Sequence, residues 1–506
     1  MAGSVYFAGD DFAAATLATE AACAASGFSA LGAKGGRVAL FLRNDVSFLT
    51  ASEAARLSGA ATLPLNWRLK ADDVAYILTD SATDLVVAHA DLWHGIADQL
   101  PANVRDRLTV LLVPTPVSIC SAYNVDPARA HVPPDGCHWV DFVQRYDPIA
   151  TPQTTVQYPL IYTSGTTGRP KGVQRTTTGR PAPVAYDAFF NKDMCTLLAT
   201  PLYHAAANRF LQGTFQIGGT LVLPARFDAE DTLSAIETHR VTTSFMVPAM
   251  LQRMIRLPDT VRNAFDPSSL KQVVIAGAPC PADLKAAMID WWGPVIYEYY
   301  GSTETSALTF ASSDDALARP GTVGRAVQTA RVEVRDNTGA PCPPGQSGEI
   351  YGRRADIPDF TYLNAPEARA QAGTDDLITV GDIGYLDEEG YLFLNDRKSD
   401  MIISNGVNIY PAQVEAAILT HPAISDCAVF GIPDPSAGEA VAAIVQTSKD
   451  KPLEPAALIA YLKERVASYL VPKHVEQRQD FPRDEAGKIK KRNLRAPFWE
   501  GVDRKI

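Results

Sequence analysis

Short apolar runs alternate with longer alanine-rich segments along the first half of the chain, and this alternation limits the folds that the chain can adopt. Residues 11–26 and 46–60 have the length and composition of helices. The strand-like runs are residues 38–42, 85–88, 108–113, 219–223, 241–247 and 272–276. Strands and helices in alternation pack as layers, with helices covering a largely parallel sheet. The pattern therefore predicts an α/β fold with more than one sheet.

The length of the chain adds a second limit. A single hydrophobic core stops growing at roughly 250–300 residues, and this chain has 506. The pattern changes near residue 331, where short strand-like runs are separated by turn-rich pieces, as in a small antiparallel sheet. We predict an N-terminal domain over residues 1–397, with a small β subdomain at about 320–397. A mobile α+β domain is expected over 398–506, with helices at 411–420 and 454–468.

Composition excludes several classes of protein. Hydrophobic residues make up 46% and charged residues 20% of the chain, as in ordinary globular proteins. The formal net charge of -11 disfavours nucleic acid and anionic membranes as partners. The seven cysteines form no C-x-x-C pair, which argues against a disulfide framework or a zinc site. No apolar run reaches the ~18 residues needed to span a bilayer, and no secretion signal is evident, so we expect a cytoplasmic protein.

The densest chemical pattern is at residues 162–172, Tyr-Thr-Ser-Gly-Thr-Thr-Gly-Arg-Pro-Lys-Gly, at the end of a strand-like run over 159–162. Its three glycines allow tight turns, its hydroxyl groups add donors, and Lys171 adds a positive charge, which together suit a polyphosphate. It differs from a Walker A loop because Lys171 follows Pro170 and precedes Gly172. A P-loop NTPase is therefore disfavoured. A flexible surface loop of the same composition is the competing interpretation.

This loop resembles the phosphate-binding signature of the adenylate-forming superfamily, which contains acyl-CoA synthetases, adenylation domains of peptide synthetases and beetle luciferases. Further patterns of that superfamily follow in its order, at residues 201–204, 276–279, 300–304, 379–382, 396–397, 404–411 and 487–489. The resemblance implies an AMP-forming acyl-CoA ligase that uses ATP, Mg²⁺ and coenzyme A. A carboxylic acid would become an acyl-adenylate, and its acyl group would then pass to the thiol of coenzyme A.

The resemblance also assigns a nucleotide site. It implies that Glu304 and Thr167 bind Mg²⁺, that Thr303 donates its hydroxyl to the α-phosphate, and that Asp382 and Arg397 bind the ribose. The implied ATP- and AMP-binding residues are Thr163, Ser164, Gly165, Thr166, Thr167, Gly168, Lys171, Gly277, Ala278, Pro279, Tyr300, Gly301, Ser302, Thr303, Asp382, Arg397 and Lys488. A solvated acid or a turn-forming Asp is the alternative for Glu304 and Asp382.

In the C-terminal region, Lys488 directly follows Gly487 and resembles the lysine that reaches the carboxylate and α-phosphate during adenylation in this superfamily. Lys490 and Lys491 leave open a solvated basic run. The resemblance implies that this domain rotates about a hinge at Ser399. It also implies a coenzyme A tunnel lined by Ser404, Asn405 and Gly406. Ser399 and Asn405 depart from the commoner residues of the superfamily.

The acyl pocket is assigned by analogy to His204, Asn208, Met246, Tyr299 and Gly301, with core packing as the alternative for the apolar ones. The implied catalytic residues are Lys488, Thr303, Glu304 and His204. His204 is given no acid–base duty because the attacking carboxylate is already ionised at neutral pH. The expected substrate is a medium- to long-chain or bulky hydrophobic acid.

Other activities remain open from the sequence. The chain could load a separate carrier protein, but nothing after residue 488 resembles a fused carrier domain, which favours coenzyme A. A luciferase-type oxygenase and a non-catalytic ATP-binding homologue are further alternatives. The expected partners are the acid, ATP and coenzyme A, with no nucleic acid and no integral membrane segment. Peripheral membrane contact and a homodimer stay open.

Overall fold

The structure, a computed structural model, describes residues 3–500 except for 34, 154–156, 164–168, 176–189, 375, 398–399, 406, 448–452 and 484–488. The chain forms two compact units. The first contains Met1–Gly277, Ala287–Ala307 and Arg354–Thr374, and the second contains Ala278–Ala286, Leu308–Arg353 and Asp375–Ile506. The predicted α/β class, with a large sheet and a small C-terminal domain, is confirmed.

Strands and helices alternate along the described residues. The strands are β1 (Ser4–Phe7), β2 (Asp10–Ala13), β3 (Arg37–Phe41), β4 (Ala61–Pro64), β5 (Leu85–His89), β6 (Thr109–Val113), β7 (Cys137–His138), β8 (Ile161–Thr163), β9 (Lys171–Arg175), β10 (Cys195–Leu197), β11 (Thr220–Leu223), β12 (Thr243–Met246), β13 (Gln272–Ile275), β14 (Ile296–Ser302), β15 (Ser306–Ala311), β16 (Thr322–Ala326), β17 (Ala330–Arg335), β18 (Gly348–Arg354), β19 (Phe360–Tyr362), β20 (Gly373–Thr374), β21 (Leu377–Ile378), β22 (Asp382–Leu386), β23 (Tyr391–Arg397), β24 (Ile402–Ser404), β25 (Val407–Ile409), β26 (Ile424–Asp434), β27 (Gly438–Thr447) and β28 (His474–Gln477). The helices are α1 (Ala14–Ala30), α2 (Val46–Ser58), α3 (Ala71–Asp80), α4 (Ala90–Ile96), α5 (Ala102–Arg105), α6 (Val117–Tyr123), α7 (Trp139–Gln144), α8 (Ala205–Gln216), α9 (Ala229–Thr238), α10 (Pro248–Ile255), α11 (Asp259–Ala264), α12 (Ala282–Trp292), α13 (Ser313–Ala318), α14 (Pro366–Gln371), α15 (Pro411–Leu419), α16 (Pro455–Lys463) and α17 (Lys491–Arg495).

The first unit contains two parallel sheets. One has the order β4-β3-β5-β6-β7, with every pair parallel. In the other, β1, β11, β10, β12, β13 and β14 follow one another in parallel, and β2 lies antiparallel at the edge. All five residues of β5 are buried, as expected for a parallel strand covered on both faces. The apolar runs read from the sequence therefore form the central strands of both sheets.

A third, antiparallel sheet in the same unit has the order β19-β9-β8. Strand β8 begins two residues later than the run that was expected at 159–162. Strands β9 and β19 were not predicted, because they are short and carry polar side chains such as Gln174, Arg175 and Thr361. This sheet supports the residues around the predicted phosphate loop.

The second unit contains the predicted antiparallel strands, in the order β16-β23-β22-β18-β21. Its C-terminal part has a separate sheet in which β25, β24, β27 and β26 are antiparallel neighbours and β28 pairs with β27 in parallel. Residues of β26 and β27 pack with those of α15 and α16 in one buried cluster that includes Val414, Val429, Ala443 and Leu458. The C-terminal part thus has a hydrophobic core of its own.

The helix predicted at 454–468 is wrong in its extent. Helix α16 covers Pro455–Lys463, and Arg465 N–H then donates to the carbonyl three residues earlier, at Leu462. Ala467 is extended, with ψ of 147°, and the following turn places Leu470 in the core at 3% exposure. Burial of Leu470 therefore accounts for the early end. Among the described residues, no helix has both the length and the apolar character required for a membrane span.

Candidate active site

The predicted phosphate loop joins the two strands of a β-hairpin. Thr163 at the end of β8 lies opposite Lys171 at the start of β9. The base of the hairpin is anchored, since the Tyr162 hydroxyl donates to Asp80 at 2.6 Å. Burial, together with the charge of Asp80, raises the pKa of Tyr162, so this hydroxyl stays protonated as a donor. The loop residues Ser164, Gly165, Thr166, Thr167 and Gly168 lie outside the described residues.

Residues 302–305 form a tight turn after β14, and this turn presents Thr303 and Glu304. The Ser302 hydroxyl accepts from the N–H groups of Glu304 at 3.2 Å and Thr305 at 3.1 Å. The Thr305 hydroxyl accepts from Ser302 N–H at 3.0 Å and donates to Ser306 O at 2.9 Å. These reciprocal bonds give the backbone N–H groups of the turn the hydrogen-bond partners that a regular strand would otherwise supply. The turn is consequently fixed by its own hydroxyl groups.

Arg175, at the end of β9, holds the same turn from outside. Its Nη2 donates to the carbonyl oxygens of Thr303 at 2.7 Å and Glu304 at 3.0 Å, and its Nη1 donates to Pro358 O at 2.8 Å. Burial lowers the pKa of Arg175, whereas the nearby Tyr158 and Glu304 oppose that shift. An arginine remains protonated under these conditions. The hairpin that carries Lys171 therefore also fixes the backbone of Glu304.

The side chain of Glu304 is held by Tyr362, on the neighbouring strand β19. The Tyr362 hydroxyl donates to Glu304 Oε1 at 3.0 Å, and the Glu304 residue is 7% exposed. Burial and the negative charge of Glu304 raise the pKa of Tyr362, which keeps its proton available to the carboxylate. Lys171 Nζ lies 5.4 Å from the centre of the Tyr362 ring, within range of a cation–π contact. Tyr362 therefore connects the end of the phosphate loop with the predicted metal ligand.

Sequence reasoning missed Tyr362 and Arg175. Tyr362 lies in the aromatic sequence Phe360-Thr361-Tyr362, and Arg175 lies four positions after Lys171, which ends the phosphate-loop pattern together with Gly172. Neither local pattern indicates Glu304, which is 58 positions from Tyr362 and 129 from Arg175. The available signal was the polar character of β9, which sets it apart from the apolar strands of the parallel sheets.

Gly301 is required by a close approach of two backbones. A Cβ atom at this position would lie 2.0 Å from Ser306 O and 2.8 Å from the Cα of Ala307. Because both obstacles are backbone atoms, a side chain cannot be accommodated by a rotamer change. Glycine at this position therefore brings the turn that carries Thr303 and Glu304 against the chain that follows it.

Gly301→Ala is expected to lower the free energy of unfolding by about 1–3 kcal/mol, since the added methyl group forces backbone displacement. The displacement acts on the Thr303–Glu304 turn, so activity should fall in the fraction that remains folded. Thermal unfolding and turnover of the folded protein measure the two effects. Gly293→Ala is the control, because it introduces a left-handed alanine without any atom within 4 Å of the new Cβ. Equal activity losses in both variants would contradict the argument.

Asp382 and Arg397 occur as direct partners on neighbouring antiparallel strands in the second unit, β22 and β23. Gly381, with φ of 80°, precedes Asp382, and its N–H donates to the Thr379 hydroxyl at 3.1 Å. The Thr379 hydroxyl in turn donates to Glu349 at 2.9 Å. The positive φ explains glycine in this turn. The two residues expected to bind ribose are thus adjacent in the sheet, although 15 positions separate them in sequence.

Four further predicted nucleotide residues belong to or follow strands β13 and β14. Gly277 is exposed at the end of β13 with φ of 86°, Ala278 is half-buried and Pro279 is exposed. Tyr300 is buried, at 9% exposure, in β14.

The predicted acyl-pocket residues lie around α8 and the ends of β12 and β14. His204 immediately precedes α8, Met246 is fully buried in β12, and Asn208 donates to Leu202 O at 3.3 Å. An aromatic series joins these elements: the ring centres of Phe210 and Phe245 are 5.6 Å apart, and those of Phe245 and Tyr299 are 6.4 Å apart. The Nδ2 group of Asn208 is therefore hydrogen-bonded to the backbone.

In the C-terminal part, Lys488, Ser399 and Gly406 lie outside the described residues. Ser404 is half-buried and lies opposite Gly438 of β27. Asn405 has φ of 50°, and its N–H donates to Ala437 O at 2.8 Å. Asn tolerates the left-handed conformation better than most residues. That tolerance explains how Asn405 occupies a position at which the superfamily often has glycine.

Comparison with known proteins covers nearly the whole chain. The family model of the AMP-binding enzymes matches residues 4–357, and that of the AMP-binding enzyme C-terminal domain matches residues 413–488. Feruloyl-CoA synthase of an Amycolatopsis species is 34% identical over 96% of this chain and 93% of its own. Long-chain-fatty-acid–CoA ligase FadD13 of Mycobacterium tuberculosis is 32% identical over 93% of this chain and 90% of its own. The structure of o-succinylbenzoate CoA synthetase from Bacillus subtilis, with its acyl-adenylate intermediate, superposes with a TM-score of 0.81 at 26% identity, covering 97% of this chain and 94% of that one.

Proposed function

This chain belongs to the AMP-binding enzymes and is an AMP-forming acid–CoA ligase, and we propose that its substrate is a medium- to long-chain or bulky hydrophobic carboxylic acid. In the first half-reaction, a carboxylate oxygen attacks the α-phosphorus of ATP and pyrophosphate leaves. In the second, the thiolate of coenzyme A attacks the acyl carbon and AMP leaves. Both steps place negative charge on phosphate oxygens, which requires positively charged or hydrogen-bond-donating groups around them.

The Glu304 carboxylate is proposed to bind Mg²⁺. A carboxylate is a hard oxygen ligand of the kind that Mg²⁺ prefers. The chemistry of its surroundings fits, because Tyr362 donates to Oε1 and Arg175 fixes the backbone of the turn. A bound Mg²⁺ would neutralise charge on the phosphates. Thr167 is proposed as a second ligand by resemblance.

The remaining nucleotide assignments follow the resemblance. Lys171 and the loop residues before it are proposed to bind phosphates, and Thr303 to donate its hydroxyl to the α-phosphate. Asp382 and Arg397 are proposed to bind the ribose hydroxyls, which is consistent with their direct pairing on β22 and β23. Gly277, Ala278 and Pro279 remain the proposed contacts of the adenine.

The aromatic series Phe210, Phe245 and Tyr299 carries the proposal for the acid. It joins α8, which begins directly after His204, to β14, which contains Gly301, and such rings contribute large apolar contact areas. Two relatives are named for acids with a large apolar part, feruloyl-CoA synthase and a long-chain-fatty-acid–CoA ligase. Both observations favour a hydrophobic acyl group over a small polar one.

The test is acid-dependent pyrophosphate release from ATP, measured with and without coenzyme A. The panel contains fatty, aromatic, steroid-side-chain and small dicarboxylic acids. We expect release that coenzyme A accelerates, formation of AMP and acyl-CoA, and the highest kcat/KM for a hydrophobic acid. Preference for a small dicarboxylic acid would contradict the proposed substrate class. Release that is indifferent to coenzyme A would instead favour a carrier protein as acceptor.

A further inference from the structure

A turn after β3 contains three consecutive polar residues that are all buried. Arg43, Asn44 and Asp45 are 5%, 6% and 1% exposed. Burying polar and charged groups is costly unless each has partners of good geometry. None of the three belongs to the predicted site, so their burial requires another explanation.

The two outer residues of this turn are bound by side chains at the end of β5 and the start of α4. The Arg43 guanidinium donates to both carboxylate oxygens of Asp91 at 2.9 Å, and its centre lies 4.9 Å from the Trp67 ring and 5.0 Å from the Tyr123 ring. A bidentate pair beside two aromatic rings permits little movement of the guanidinium. Arg43 therefore anchors the first position of the turn.

Asp45 anchors the third position. Its Oδ1 accepts from Phe48 N–H at 2.9 Å and so caps α2, and its Oδ2 lies 3.0 Å from Nε2 of the buried His89. His89 Nδ1 accepts from Arg43 N–H at 3.1 Å, which leaves the proton on Nε2 to be donated to Asp45. The residues on either side of Asn44, Arg43 and Asp45, are consequently both held in place by hydrogen bonds.

Asn44 itself reaches a distant part of the chain. Its Nδ2 donates to Thr200 O at 3.0 Å and Leu198 O at 3.3 Å, and its Oδ1 accepts from Leu202 N–H at 2.9 Å. Two donors and one acceptor of a single amide thus bind alternate residues of the segment 198–202, which bends at Thr200. That segment follows β10 in the other parallel sheet of the same unit. Its path is set by a side chain that lies on the turn after β3.

The segment leads directly to the predicted acyl pocket. After Leu202 come Tyr203 and His204, and His204 N–H donates to Pro201 O at 3.2 Å before α8 begins. The carbonyl of Leu202 accepts from Asn208 Nδ2 at 3.3 Å, so both backbone polar groups of Leu202 are bound by asparagine side chains. Displacement of Leu202 would therefore displace His204 and the start of α8.

We propose that Asn44 is a positioning residue for the acid-binding part of the site, acting through the 198–202 segment on His204. This inference rests on the proposed function, because it takes His204 as part of the acyl pocket. The hydrogen bonds of Asn44 run to the 198–202 segment, whereas Glu304 and Lys171 are supported by the β19-β9-β8 sheet. Loss of Asn44 should thus affect the acid more than ATP.

The test compares wild type with Asn44→Ala, and with the milder Asn44→Ser should the alanine variant fail to fold. We expect KM for the preferred acid to rise by about tenfold or more, with KM for ATP changed by no more than about twofold. The ranking of acids by kcat/KM should also change, because the start of α8 moves relative to Phe245 and Tyr299. A purely structural role would lower Tm without changing either the KM for the acid or the ranking.

Thr214→Val is the matched control. It removes the hydroxyl of Thr214, which makes a buried 2.9 Å hydrogen bond with Thr196 and so joins α8 to β10, and it keeps a β-branched side chain. It should lower Tm while leaving KM for the acid unchanged. If the Asn44 variants also keep the wild-type KM for the acid, the inference is wrong. If wild type prefers a small polar acid, the proposed substrate class fails, and the same KM comparison made with that acid still decides the role of Asn44.

Discussion

Lys488→Ala is expected to lower acid-dependent pyrophosphate release by about 100- to 1,000-fold, the usual cost of removing one group that stabilises charge in a transition state. Thiolation of a supplied acyl-adenylate should fall far less. In adenylation two anions, the carboxylate and the α-phosphate, must approach each other, and a cation between them offsets their repulsion. In thiolation the acyl group is already activated and AMP is the leaving group. The same lysine has less to contribute there.

The two half-reactions must be measured separately to test this prediction. Pyrophosphate release from ATP and free acid reports the first, and acyl-CoA formation from synthetic acyl-adenylate reports the second. Lys490→Ala is the matched control, since Lys490 is an exposed cation two positions away. It should leave both rates near wild type. Equal losses of Lys488→Ala in both half-reactions would contradict a lysine that acts in adenylation alone, and would remove the main reason for proposing a rotation about Ser399.

The sequence predicted the parallel sheets well because their strands are apolar on both faces. Strand β5, for example, consists of buried residues only, and its run at 85–88 stands out against the polar segments beside it. The end of α16 was missed for the opposite reason. Residues 464–468 have a composition that a helix would tolerate, but α16 ends at Lys463 and the turn that follows buries Leu470 in the C-terminal core. Local propensity alone does not specify such tertiary preferences.

Residues of the candidate site could be predicted where they stand at a fixed position in a short sequence pattern. Glu304 and Asp382 could be proposed because each follows a recognisable short pattern. Tyr362, Arg175 and Asn44 could not, because their partners are distant in sequence and no local pattern connects them. Asn44, for instance, binds residues more than 150 positions away. Supporting hydrogen bonds of this kind depend on how sheets are placed against each other, which spacing does not reveal.

Glu304→Gln is expected to lower adenylation by roughly 100-fold and to raise the Mg²⁺ concentration needed for half-maximal activity. The glutamine is nearly identical in shape, and its amide oxygen can still accept from the Tyr362 hydroxyl, so folding should be retained. What is lost is the negative charge, which is the property that a divalent cation requires of its ligand. Binding of MgATP, measured by calorimetry, should weaken more than binding of metal-free ATP. That comparison provides a readout independent of turnover.

Two further variants separate the charge of Glu304 from its position. Tyr362→Phe keeps the carboxylate but removes the donor that orients it, a bond to a charged group worth about 1.5–3 kcal/mol. Its activity loss should be smaller than that of Glu304→Gln, because a carboxylate released from Tyr362 can still reach the cation. Glu53→Gln is the control for a buried glutamate, since Glu53 is 2% exposed on α2 and pairs with Arg56. An unchanged Mg²⁺ requirement in Glu304→Gln would exclude Glu304 as the ligand, and Tyr362 would then serve only to fold the turn.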